Sequence, residues 1–299
     1  MYDLIIIGAG PAGITASVYA ARKKMDLLVV TKDIGGQAAW SGDIQNYTGY
    51  QFISGPDLAA KFEEHMRKFN IALKENEEVI EVEKKDDIVY VKTNKDLYQA
   101  KTTIIASGKR SRELNVPGEK EFKNKGLTYC ATCDGPLFSG KDVAVIGGGN
   151  SALDATLQLI KIARRIYLIN NTSSLGGDAI MREKVGSAKS VTILNNARVT
   201  EISGQIMVKG IKIKKHDKDE VLPVEGVFVE IGLIPNSDFA IGIEKNQLGE
   251  IKVNCRNETN IPGIFAAGDV TDVPEKQIII AAGEGAKASL SAFHYLIHS

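Results

Sequence analysis

Cys130 and Cys133 stand two residues apart in the stretch TYCATCDGPLF, residues 128–138, and Asp134 follows the second directly. A Cys-x-x-Cys pair suits reversible dithiol–disulfide exchange, one half of a zinc site, or a structural cross-link. Zinc needs about four ligands, and the chain offers no second Cys-x-x-Cys, only Cys255 and the histidines 65, 216, 294 and 298. No metal site is expected, and neither Cys255 nor any histidine is assigned a role. A structural cross-link fits poorly, because the chain runs from Met1 straight into the strand-like LIIIG with no secretory leader. Exchange chemistry remains, and it requires a source of electrons.

The elements that must position such a source lie on both sides of the pair. In DLIIIGAGPAGITASVYAARKK a buried strand (4–7) runs into Gly8, Gly10 and Gly13, and then Ile14, Val18 and Ala21 recur at helical spacing. Gly8 allows the tight turn, Gly10 lets backbone approach a pyrophosphate, and Gly13 lets helix and strand pack closely. The helix N-terminus offers free N–H groups to phosphate. The second strand ends LLVVTKD, so Thr31 stands where an acid for ribose is expected. In KDVAVIGGGNSALDATLQLI the pattern recurs with Gly147 and Gly149, with Ala152 at the third small position and the next strand ending in Asn170. Each fingerprint predicts its own dinucleotide-binding domain. Near the C-terminus a third element, FAAGDV, ends a strand at Gly268 and Asp269, and a small-residue helix follows from about residue 277. An aspartate there suits a ribityl hydroxyl of FAD.

Bulk properties exclude several classes. With 299 residues the chain suits about two domains. Lys plus Arg is 37 and Asp plus Glu is 37, so no excess charge points to nucleic acid or a membrane surface. No apolar run approaches the ~20 residues of a membrane span, and a cytoplasmic location is expected.

These motifs resemble the low-molecular-weight thioredoxin reductases, and more closely the flavin-reductase portion of the F subunit of alkyl hydroperoxide reductase. GAGPAG, IGGQ, QNY, IIASGKR, NVPGE, TYCATCDGPLF, VAVIGGGNSA, GLIPN, FAAGDV and KQIIIAAGEGAKASLSAF carry the resemblance over essentially the whole chain. It implies an α/β fold of two Rossmann-like dinucleotide-binding domains. The FAD domain is made from residues 1–113 and 242–299, and the pyridine-nucleotide domain carrying the CxxC, 114–241, is inserted into it. FAD would lie on Gly8, Gly10, Pro11, Ala12, Gly13, Gly36, Gln37, Asn46, Ser107, Gly108, Gly268, Asp269, Lys276, Gln277 and Ile278. The nucleotide would lie on Gly147, Gly149, Asn150, Ser151 and Asn170. Cys133 would face the flavin, Cys130 would attack a partner's disulfide, and Asp134 would act as general acid. A rotation of the inserted domain would alternate the nicotinamide and the disulfide at the flavin.

The donor is read from residues 170–176, NNTSSLG, which lack the basic cluster suited to a 2′-phosphate. NADH is expected and NADPH disfavoured, with ferredoxin as the alternative donor. The hydroperoxide reductase relatives carry an extra N-terminal redox module that this sequence does not show, so a separate thioredoxin- or glutaredoxin-like acceptor is expected. The resemblance also implies a homodimer. A flavin NADH oxidase and a non-enzymatic redox sensor are the competing classes.

Overall fold

The run LIIIG forms the middle of the strand Tyr2–Ala9, and its alternate side chains divide between two cores. In the computed structural model Leu4 and Ile6 pack on one face of a sheet, Ile5 and Ile7 on the other. Such burial on both faces is what a parallel strand covered on each side requires. Each residue is described except Trp40, Gly42, Asp217 and Ser299, with Asp43 by its backbone alone.

The chain divides into two units, Met1–Arg110 with Ile234–Ser299 and the contiguous Ser111–Leu233. Residues 234–241, read from sequence as part of the inserted domain, cluster with the first unit. Asn236 exchanges hydrogen bonds with Ser107, and Val82 N donates to the Phe239 carbonyl at 2.9 Å.

In the first unit the strands run Ala72–Lys74, Leu27–Ile34, Tyr2–Ala9, Leu97–Ile105, Ile88–Thr93 and Val79–Lys85 across one sheet. The strand Leu97–Ile105 is shared. Its beginning pairs antiparallel with Ile88–Thr93, and its end pairs parallel with Ile264–Ala266 from the far end of the chain. The helix Pro11–Arg22 packs on the C-terminal helix Ile278–His298 so closely that a Cβ on Gly285 would lie 2.0 Å from the Ala12 carbonyl oxygen.

In the second unit five parallel strands run Leu127–Thr128, Gly226–Val229, Asp142–Ile146, Arg165–Ile169 and Val191–Leu194. Val143 and Val145 enter one core, Ala144 and Ile146 the other. A three-stranded antiparallel meander, Ala197–Gly204, Val208–Lys215 and Lys218–Pro223, completes it.

Candidate active site

Three constructions come from these elements: a cradle in the first unit, a cradle in the second, and the cysteine pair beside the second.

In the first unit Gly8 has φ +101°, and a Cβ there would lie 2.4 Å from the Ala106 carbonyl oxygen. A Cβ on Gly13 would lie 1.9 Å from the Gly8 carbonyl oxygen, so both glycines are required by packing. Gly10 differs. It caps the helix Pro11–Arg22 with no side-chain hydrogen bond, and a Cβ there would come no nearer than 4.0 Å to its neighbours, the nearest being Gly36. Pro11 opens the helix where no N–H is needed, and Ala12 is buried beneath it. An uncapped helix N-terminus under open space is what a pyrophosphate needs.

The remaining residues expected here gather in the same unit. Gln37 donates through Nε2 to the Lys109 carbonyl, and Asn46 Nδ2 donates to Gln277 Oε1 at 3.0 Å. Ser107 Oγ donates to the Asn236 carbonyl, while Gly108 has φ +66° and open space before it. Gly268 (φ +76°) turns the chain after Ile264–Ala266, and its N–H donates to the buried carboxylate of Glu284. Burial raises the Asp269 carboxyl above its usual range, partly offset by Lys276 and Lys109. Burial lowers Lys276, whose Nζ donates to the Thr271 carbonyl and lies 3.4 Å from Glu250. Ile278 opens the C-terminal helix and packs on Ile44, Ile53 and Leu58. Thr31 Oγ1 accepts from Ala9 N and donates to the Asp33 carbonyl, so it braces the fingerprint turn. Sequence reasoning missed the buried pair Lys109–Glu250, because two charges 141 residues apart carry no motif.

The second cradle repeats the first. Gly147 has φ +142°, and a Cβ would lie 2.2 Å from the Glu230 carbonyl oxygen. Gly149 caps the helix Asn150–Leu159 without a side-chain bond, and nothing lies within 4 Å of a Cβ there. The side chains around it have partners of their own. Asn150 Oδ1 accepts from Asp178 N at 2.8 Å, and Ser151 Oγ donates to Glu230 Oε2 at 3.2 Å. Buried Asn170 donates to the Thr172 carbonyl and to Asn195 Oδ1, and it accepts from Thr172. Its carboxamide shapes the loop after Arg165–Ile169, and the uncapped helix N-terminus at Gly149 would be left to meet a phosphate.

Cys130 and Cys133 form a disulfide, with Cα atoms 5.3 Å apart. Cys130 caps the one-turn helix Ala131–Asp134, its Sγ accepting from Cys133 N at 3.2 Å. Asp134 is buried, and its Oδ2 accepts from Thr128 Oγ1, which in turn accepts from Cys130 N at 3.2 Å. The carboxyl beside the second cysteine is thereby tied to the backbone of the first. Tyr129 donates to buried Glu119 at 2.8 Å, and burial followed by that carboxylate pushes its phenol well above the usual range.

Glu230, which no motif marked, joins the two constructions. It leaves the strand Gly226–Val229, which runs between the strand preceding the cysteines and the strand preceding Gly147. Its Oε1 accepts from Ala131 N at 3.3 Å and its Oε2 from Ser151. Burial is the chief cause that raises its carboxyl to about 7.

Two glycine-bounded, uncapped helix N-termini and a CxxC disulfide are the parts that a dinucleotide-dependent disulfide oxidoreductase would use. The chain belongs to the pyridine nucleotide-disulphide oxidoreductase family, whose model matches residues 2–285. It is 43% identical to an NADH dehydrogenase of Ferdinandcohnia aciditolerans, over 100% of this chain and 58% of that protein. It is likewise 43% identical to the F subunit of alkyl hydroperoxide reductase from Pseudomonas putida, over 100% of this chain and 59% of that protein. The chain thus spans less than two thirds of the curated relatives it matches. The structure of thioredoxin reductase from Streptococcus pyogenes superposes with a TM-score of 0.95 at 36% identity, covering 100% of this chain and 99% of that one. Family membership implies FAD and a pyridine nucleotide, and the two uncapped helix N-termini fit them.

Proposed function

We propose that the protein passes electrons from NADH, through FAD, to the Cys130–Cys133 disulfide and on to the disulfide of a thioredoxin- or glutaredoxin-like protein. The observation that carries this reading is the disulfide lying in the same unit as the second cradle, one carboxylate away from its helix. Bound in the first cradle, FAD supplies two-electron transfer between a hydride donor and a disulfide. Gly10 and the first turn after it hold its pyrophosphate, and Asp269 offers an acceptor to its ribityl chain. Once the pair is reduced, the Cys130 thiolate attacks the partner's disulfide and Cys133 resolves the mixed disulfide. Asp134, tied to Cys130 through Thr128, is placed to supply a proton to a departing sulfur.

For the donor, support comes from the loop 170–174, which holds no basic residue, and from the NADH dehydrogenase relative. A second reading, with ferredoxin as donor, is favoured by one observation. Asn150, Ser151 and Asn170 are all engaged within the protein, which leaves the second cradle few side chains for a nucleotide. The chain crosses between the units only at 110/111 and 233/234, which supports a rotation of one against the other during turnover. A homodimer is the assembly proposed from the family.

An anaerobic titration of the yellow protein tests the donor. Bleaching of the flavin by NADH, followed by reduction of an added thioredoxin-like disulfide, supports the first reading. Bleaching by reduced ferredoxin but by neither nicotinamide supports the second. NADH turnover with oxygen that survives replacement of both cysteines would make the protein an oxidase.

A further inference from the structure

The cleft beside the disulfide, about 140 Å³, is lined by Tyr129, Cys130, Ala131, Ser151, Asp154 and Glu230 among others. No basic residue lines it among the described residues. Glu230 reaches it from the end of the strand Gly226–Val229, second in the five-stranded sheet, with Cys130 and Tyr129 facing it from the cysteine segment and Asp154 from the helix Asn150–Leu159. One carboxylate oxygen holds the first N–H of the cysteine helix, and the other holds the first turn of the nucleotide helix. A carboxyl so placed feels any charge that forms on Cys130.

We propose that Glu230 holds the proton of the Cys130 thiol during exchange, so that the cysteine and the carboxyl titrate as one coupled pair. The inference rests on the disulfide-reductase reading for its purpose, and on the geometry of this cleft for its substance. As the Cys130 sulfur attacks the partner's disulfide, its proton passes to the Glu230 carboxylate. The partner's S–S bond breaks, and the leaving sulfur departs as a thiolate that takes that proton back. The Cys133 sulfur then attacks the Cys130 sulfur, losing its own proton to water. The 130–133 bond reforms, the mixed disulfide breaks, and Asp134 passes a proton to the second partner sulfur and takes one back from water. One dithiol is oxidised and one disulfide reduced.

Glu230 suits this exchange because burial, with Asp154 adding to it, already lifts its carboxyl into the range where thiols begin to ionise. With no cation in the cleft to hold a thiolate, loss of the first proton leaves one negative charge shared between oxygen and sulfur, and the second proton is retained to higher pH.

The test is the pH dependence of Cys130 alkylation. The FAD-loaded full chain is reduced anaerobically with a phosphine, pulsed with iodoacetamide between pH 5 and 9.5, and read by peptide mass spectrometry. The wild type should gain reactivity in two steps more than one pH unit apart. Glu230→Gln, which keeps an acceptor for Ala131 N but cannot lose a proton, should gain it in one. Ser151→Ala removes a donor to the ionised carboxyl and should move the lower step to higher pH by about half a unit. One-step profiles in both wild type and Glu230→Gln would overturn the proposal, as would two steps in both, which would name another group. No acceptor protein or nicotinamide takes part, so a wrong donor or acceptor leaves this result intact. Conversely, coupled titration without turnover of any thioredoxin-like disulfide would retain the proton pair and discard the proposed function.

Discussion

The Tyr129 phenol donates to the Glu119 carboxylate at 2.8 Å, and the same carboxylate accepts the backbone N–H groups of Leu114 and Asn115 at 2.8 and 2.7 Å. One buried side chain thus ties the residue before Cys130 to the segment by which the chain has just entered its second unit. Glu119→Ala leaves three donors without their acceptor. At about 1–3 kcal/mol for each group left unsatisfied, the unfolding free energy of that unit should fall by several kcal/mol. Tyr129→Phe, which removes one bond, should cost ~1.5–3 kcal/mol. Urea unfolding followed by far-UV circular dichroism checks both, and near-equal costs would contradict the three-partner geometry.

Gly10 and Gly8 should respond differently to the same added methyl. Gly8→Ala places a Cβ 2.4 Å from backbone in a left-handed conformation, so the variant should be poorly folded. Gly10→Ala meets no close atom and should fold, yet it covers the uncapped helix end. FAD affinity should drop at least tenfold with far-UV dichroism unchanged. Retention of full flavin through gel filtration of Gly10→Ala would contradict the cradle.

Gly149→Ala carries the same logic to the second cradle, where a Cβ has open space. The variant should keep its FAD while the NADH concentration for half-maximal flavin reduction rises about tenfold or more. Were reduction by NADH unaffected, the cradle would not be the donor's site.

Cys130→Ser and Cys133→Ser should each keep flavin bound, since neither residue belongs to the first unit. Disulfide reduction should fall by more than about 10³-fold in either, because a mixed disulfide needs one thiol to form and the other to resolve. Residual turnover above a tenth of wild type in a single-cysteine variant would argue for another route.

Glu230 also predicts a pH dependence of stability. Its carboxyl is raised from 4.5 to about 7 in the folded protein, so the folded state binds this proton more tightly than the unfolded chain does. The contribution is fully present below about pH 4.5 and is lost as pH rises through 7. At 1.36 kcal/mol per unit, wild type should lose at most ~3 kcal/mol more than Glu230→Gln between pH 4.5 and 8. Parallel urea titrations at several pH values read the difference, and superimposable curves would contradict it.

Much of the site was legible because its parts are local. A glycine fingerprint, a CxxC and a Gly–Asp at a strand end each occupy a few consecutive residues, and their conformational demands are written in residue type. What escaped was long-range pairing. Glu230 acts through Ala131 and Ser151, 99 and 79 residues away, and the Lys109–Glu250 pair spans 141; acids and lysines are common enough to hide. Glu230 did leave a trace: it follows four buried strand residues, Gly226–Val229, at the sheet end where ligands of α/β folds collect. Asn150, Ser151 and Asn170, expected as nucleotide residues, each also satisfy a neighbour, because hydrogen-bonding capacity says nothing about who uses it. Residues 234–241, assigned from sequence to the inserted domain with the joint near Gly242, cluster with the first unit.

The strand Leu97–Ile105 has a consequence for how the molecule is made. Its final residues pair with Ile264–Ala266, so on the ribosome the first sheet stays unfinished until residue 266 has emerged. The second unit is contiguous and has all its strands once residue 233 has emerged. It can therefore fold while the earlier-synthesised segment still waits, exposing one side of that strand to other chains. Of the two units, the one begun first is closed last.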